Sequence, residues 1–207
     1  MRQNRKFLIL CTAAAVMLGG CGKLDDVDRT TVYVDPDNGV VQEAIVEEYT
    51  DEDTYSENEL ETFVEEDAAA YNEKAGEDSV TVSGVKVSGD EVRILLRYTD
   101  SGAYAGYHLT DFFAGILAEA QEEGYDFSGT FLDTEGTEIS AADVLAGHPE
   151  YHVVIFEEPI QILTDSEVLY VSANAEITSE TTAEVTEENV NQGVDVVTSE
   201  KAYVIYE

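Results

Sequence analysis

The stretch Ser56–Tyr98, SENELETFVEEDAAAYNEKAGEDSVTVSGVKVSGDEVRILLRY, decides the fold. Its first half reads as a helix. Ser56 followed by Glu59 matches the S-x-x-E capping box, in which two side chains satisfy two orphan backbone N–H groups. Leu60, Phe63, Val64, Ala68 and Tyr71 recur at helical spacing and define one apolar face, expected to lie buried against a sheet. Lys74 suits the negative end of the helix dipole, and Gly76 suits a left-handed stop. The second half switches to a period of two. Ser79–Val87 and Glu91–Thr99 read as the arms of a hairpin around Ser88-Gly89-Asp90, with Val92, Ile94, Leu96 and Tyr98 alternating against Arg93, Leu95 and Arg97. Ser83-Gly84 breaks the alternation of the first arm and predicts a bulge. A helix followed by antiparallel strands is an α+β signature.

Working outward, Thr30–Val34 and Val40–Tyr49 read as a second hairpin across Asp35-Pro36-Asp37-Asn38-Gly39. Beyond position 100, Thr110 is placed to cap a second main helix over Asp111–Glu123, with Phe112, Phe113, Ile116, Leu117 and Ala120 inward. Ser140–Gly147 reads as a short helix. Tyr151–Phe156, Pro159–Leu163 and Glu167–Val171 read as strands. Thr178–Asn191 is polar and predicts a mobile loop, and Ala202–Tyr206 (AYVIY) predicts a buried last strand. The expected architecture is one α+β domain over 30–207. It has a mostly antiparallel sheet, two main helices, an N-terminal hairpin–helix–hairpin unit and room for a lobe break near 100.

Residues 1–20 carry an export signal. Arg2, Arg5 and Lys6 form a basic start, Phe7–Leu18 an apolar core, and Gly19-Gly20 lead to Cys21. The apolar run is well below the roughly 20 residues a membrane-spanning helix needs. Leu18-Gly19-Gly20-Cys21 resembles the bacterial lipobox. That resemblance implies diacylglycerol on the Cys21 sulfur, with palmitate among its acyl chains, and cleavage that leaves Cys21 as N-terminus. Residues 21–29 would then be a short tether on the extracytoplasmic face of a cell membrane. The runs TTVYV…GVVQEAIVEEY, NELETFVEEDAAAYNEKAGEDSVTVSGVKVSGDEVRILLRY and EVLYVSANAEIT, across most of 30–177, resemble a group of uncharacterised lipoproteins of low-GC Gram-positive bacteria. This second resemblance implies a single-membrane cell and a domain facing the wall; it brings no activity, ligand or catalytic residue.

Composition narrows the function classes. Without residues 1–20 the chain keeps seven bases and all 45 acids, a formal charge of −38. Such a surface has no basic patch for phosphates, so nucleic acid is not an expected partner. It is repelled by anionic headgroups, which leaves anchoring to lipid. Cations or a basic envelope partner are the ligands its charge would attract, although charge runs mostly mark solvated faces. Cys11 leaves with the signal and Cys21 is taken by lipid, so no disulfide and no cofactor is expected.

The candidate sites are few. His148-Pro149-Glu150-Tyr151-His152 holds two imidazoles and a carboxylate, the ligand types of zinc, but Pro149 breaks the helix that would align His148 with His152. Asp35-x-Asp37-x-Gly39 misses the calcium-loop pattern, with Gly one residue early and Val46 where Glu is needed. Asp51-Glu52-Asp53 and Glu65-Glu66-Asp67 are acidic clusters best read as solvated. Tyr104, Tyr107, Phe112 and Phe113 suggest either a groove lining or core. Nucleophile and phosphate-loop motifs are absent from the sequence. A non-enzymatic binding or structural lipoprotein is therefore the leading expectation. A wall- or glycan-acting hydrolase using carboxylates comes second, and a solute-binding transport lipoprotein third. The third is weakened by a 187-residue length, short for two lobes, and by the lack of βαβ alternation.

Overall fold

A computed structural model describes residues 23–50, 55–76, 78–185 and 201–207. The chain is α+β: four helices and thirteen strands among these residues, with mostly antiparallel pairing. One sheet has the order β11-β12-β9-β1-β2-β4-β3. Its strands are β1 (Thr31–Val34), β2 (Val41–Glu48), β3 (Val80–Ser88), β4 (Glu91–Tyr98), β9 (Gln161–Leu163), β11 (Glu176–Ser179) and β12 (Thr182–Glu184). The other has the order β5-β8-β13-β10-β6-β7. It comprises β5 (Phe112–Ile116), β6 (Phe131–Asp133), β7 (Glu138–Ile139), β8 (His152–Phe156), β10 (Val168–Ser172) and β13 (Ala202–Tyr206). Among the described residues one parallel pair joins β1 to β9.

Period-two alternation explains how the sheets pack. Val32, Val41, Leu96 and Tyr98 from the first sheet meet Val154, Phe156, Val204 and Tyr206 from the second in one buried cluster. The intervening residues Val153, Ile155, Tyr203 and Ile205 face the other way, into a second cluster with Leu117, Ala120 and Val144. They are covered by α3 (Leu117–Glu122) and α4 (Ala141–Gly147). A central strand covered on both faces must be apolar throughout. AYVIY is such a strand, and all five of its residues are buried. Residues from both sides of position 100 share the first cluster.

The helix α1 (Glu57–Ala75) starts as its sequence predicts, and it stops at the predicted glycine in an extended positive-φ backbone in place of the expected left-handed turn. Ser56 Oγ accepts from Glu59 N, Glu59 Oε2 accepts from Ser56 N, and Gly76 closes the helix at a φ of 133°. The helix also guards the free edge of β3. Asn72 Oδ1 accepts from Val80 N at 2.9 Å while its Nδ2 donates to Val80 O at 2.8 Å, and Glu57 Oε2 accepts from Val87 N at 2.9 Å. Fifteen helical residues rise about 22 Å and seven strand residues about 23 Å, so the two ends match. An edge strand is thereby denied to other chains.

Four expectations are corrected. Phe63 is 67 % exposed, and Leu60 is only partly buried. At 100° per residue, Leu60, Val64, Ala68 and Tyr71 share one face, whereas Phe63 points roughly a quarter-turn away from its centre. The helix expected over 111–123 is replaced by β5 up to Ile116 and the short α3 after it. Phe112 and Ala114 face the inter-sheet core while Phe113 faces the opposite cluster, and β5 pairs with β8 along its whole length. Tertiary pairing overrides the helical periodicity there. The helix α2 (Ser101–His108) was not expected at all; Asp100 caps it by accepting from Ala103 N at 2.8 Å. Finally, residues 23–29 are no free tether. Leu24 is 2 % exposed against Tyr33 and Ala44, and Arg93 donates to Leu24 O at 3.1 Å and Val27 O at 2.6 Å. The predicted bulge falls where expected, between Val82 and Gly84. Of the loop expected over 178–191, its start belongs to the β11–β12 hairpin, and 186–191 lie outside the described residues.

Candidate functional site

The chemistry-bearing groups that the fold brings together are Glu43, Tyr98, His108, Tyr104 and Glu158. Glu43 sits on β2 in phase with Val41 and Ile45, so the pleat turns its carboxylate inward. It is 2 % exposed. Tyr98 occupies the neighbouring strand on the same face, paired with Val41. The helix α2 follows β4 directly and places Tyr104 and His108, four residues apart, on one side of a turn. The imidazole packs on the Tyr104 ring at 4.5 Å, and Tyr104 meets Tyr98 edge-on at 5.1 Å. Glu158, in the turn after β8, accepts from Tyr104 Oη at 3.2 Å.

Three atoms form a closed triangle. Tyr98 Oη donates to Glu43 Oε2 at 2.6 Å, His108 Nε2 lies 2.9 Å from the same oxygen, and Nε2 and Oη are 2.8 Å apart. An ionised carboxylate brings no proton and Tyr98 brings one. A bare Nε2 lone pair facing the carboxylate would repel it. His108 therefore carries a proton on Nε2, as the neutral tautomer or as imidazolium. The ring keeps about a fifth of its side-chain surface open, while Glu43 is sealed.

Electrostatics follow from burial and these partners. Burial of His108 opposes its charge, but the hydrogen bond and charge of Glu43, with Glu158 beyond, outweigh it and raise the imidazole pKa above 6.5. Burial first, and then the Glu43 carboxylate, holds Tyr98 and Tyr104 neutral at any working pH. Burial also raises Glu158, with His108 and Tyr104 pulling the other way. The cluster is a proton-holding polar core, with every donor and acceptor of the triangle satisfied inside the fold.

The sequence-predicted residues lie elsewhere. His148 caps the end of α4, stacks on Tyr151 at 4.2 Å and pairs with Glu150 at 3.2 Å. His152 opens β8 and stacks on Tyr206 at 5.2 Å. The two rings serve different partners, and among the described residues no group of three His, Cys, Asp or Glu side chains converges as a metal site. Asp35 is consumed by its turn, accepting from Asp37 N and Asn38 Nδ2. Glu65 and Glu66 lie exposed on α1; Asp51–Asp53 and Cys21 lie outside the described residues. Tyr104, Phe112 and Phe113 are core, not groove.

Four open clefts line the described surface; two, of about 480 and 340 Å³, lie beside residues 25–28 and share Asp25, Asp26, Lys86 and Arg93, and the other two lie elsewhere. One, of about 410 Å³, is lined by Asp126, Ser172, Asn174, Lys201 and Tyr203, and its Asp126 accepts from Ser128 N. The other, of about 290 Å³, holds Asp35, Glu119, His152 and Tyr206, where Glu119 accepts from Ile116 N at 3.2 Å. In both, the carboxylates are committed to backbone. No family model, curated protein or solved structure matches this chain.

Proposed function

We propose that this is a lipid-anchored lipoprotein of the cell envelope, held by Cys21 on the extracytoplasmic face, with a non-enzymatic binding or structural role. The observation that carries the reading is the tetrapeptide Leu18-Gly19-Gly20-Cys21, which stands three residues before the first buried residue, Leu24. Among the described residues no helix is long and apolar enough to cross a membrane, so two acyl chains on Cys21 would supply the stable attachment. The sealed state of Glu43 supports a non-enzymatic role, because the most concentrated acid–base chemistry of the domain faces its own core.

The test is Cys21→Ala with metabolic palmitate labelling and membrane fractionation. The parent chain is expected to take up label and sediment with membranes. The variant is expected to lose both. Label retained by the variant would overturn the assignment.

A further inference from the structure

The outer face of the first sheet is unlike the rest of this acidic molecule. Arg93 and Arg97 alternate with Leu95 on β4, and Lys86 stands opposite Arg93 on β3, so all three basic side chains lie on the side away from the core, with Arg93 largely covered there by residues 23–29 and paired with Glu91. Residues 23–29 lie across that face and add Lys23 and Arg29. Lys23 pairs with Asp165 and sits 4.4 Å over the Tyr33 ring, and Arg29 donates to Glu184 at 2.7 Å. Five of the seven bases after Cys21 are thus gathered here. Acids on or beside the same face are three aspartates of 25–28, four strand glutamates, Asp90 and Asp165 in adjoining turns, and Asp35 and Asp37, whose charges reach Tyr33. The other described residues carry two bases, Lys74 and Lys201, against 26 acids.

We propose that this face is the surface that rests on the lipid headgroups, with α3 and α4 turned away from the membrane. The inference depends on the Cys21 anchor. Leu24 lies three positions after Cys21, and a residue spans at most about 3.6 Å, so the Cys21 backbone stays within about 11 Å of this face, with the acylated sulfur one side-chain length beyond. That distance is comparable to the screening length of roughly 8 Å at physiological ionic strength, so charges here feel the headgroups. An anionic leaflet attracts Lys and Arg at its surface and repels carboxylates. Every other orientation would press a nearly unrelieved acidic surface against it. The short anchor and the charge asymmetry therefore select the same pose.

The full lipidated chain, reconstituted in vesicles of phosphatidylcholine and phosphatidylglycerol in equal parts with nitroxide headgroups, tests it. A fluorophore is attached at Thr81→Cys, exposed opposite Arg97 on β3, or at Glu122→Cys, exposed on α3. With sheets about 10 Å apart and a helix layer about 10 Å beyond, the second probe sits about 20 Å farther out. Quenching is expected to be several-fold stronger at position 81, and the contrast is expected to shrink when Lys86→Glu and Arg97→Glu are added. Protein that floats with vesicles but quenches equally at both positions overturns the orientation and leaves the anchor standing. Protein that does not float overturns the anchor and the pose with it. A contrast untouched by charge reversal overturns the electrostatic part.

Discussion

Replacing Glu43 by alanine is expected to cost about 3–5 kcal/mol of stability, the range for removing one partner of a buried charged pair. The loss has a specific origin. Tyr98 Oη and His108 Nε2 both direct protons at Glu43 Oε2 and both lose that acceptor, Tyr98 in a fully buried setting. At about 2–4 °C per kcal/mol for a domain of this size, Tm should fall by about 10 °C. Glu43→Gln keeps an oxygen that accepts from Tyr98, and is expected to cost only about 1–2 kcal/mol. Chemical denaturation of the three chains measures this ordering. An alanine variant with the parent midpoint would mean that the triangle contributes nothing to the folded state.

The second large effect is a dependence on pH. The folded pKa of His108 is raised above its ordinary value, so the native state holds a proton that the unfolded chain releases. Its stabilisation is fully present below about pH 6.5 and is lost as pH rises through the folded pKa. Glu158 is also raised, and works in the same direction at lower pH: stability increases as it takes up its proton. Exposed Glu59 and Glu150, and Asp126, are lowered by local hydrogen bonds, and their contribution disappears only as pH falls below about 4. Stability should therefore peak near pH 5 and decline toward pH 8, with a slope of at most about 1.4 kcal/mol per pH unit from His108. His108→Phe is expected to flatten the decline between pH 6 and 8. Denaturation midpoints across that range test this, and a variant as pH-sensitive as the parent would place the titration on other groups.

Legibility tracked locality. The α1 caps, the two N-terminal hairpins, the bulge at Gly84 and the buried AYVIY strand rest on neighbouring residues or on one strand's pattern, and those patterns are strong here. The region 100–123 failed because two signals overlapped. Phe112, Phe113, Ile116, Leu117 and Ala120 satisfy helical spacing, while the β5–β8 pairing that makes the first of them a strand is formed with residues about forty positions later. The helix α2 is rich in Gly, Ala and Tyr, which hid it, though Asp100 three residues before Ala103 was a usable cap signal. The polar cluster was legible in part. Glu43 interrupts an apolar phase set by Val41 and Ile45, and a carboxylate in a core phase demands partners. Which partners, His108 and Tyr98 from other elements, is a product of tertiary packing. Phe63 shows the converse: apolar character alone did not place it inside, because its angle on α1 is wrong.

The proposed anchor on Cys21 underlies the functional reading, the attachment and the orientation on the membrane. Mass spectrometry of the N-terminal peptide from membrane-purified protein tests it most directly. The account predicts a peptide that begins at Cys21, carries the mass of a diacylglyceryl group on sulfur and continues into Gly22-Lys23-Leu24. A mature chain that begins at Met1, or at any residue after Cys21, would contradict it.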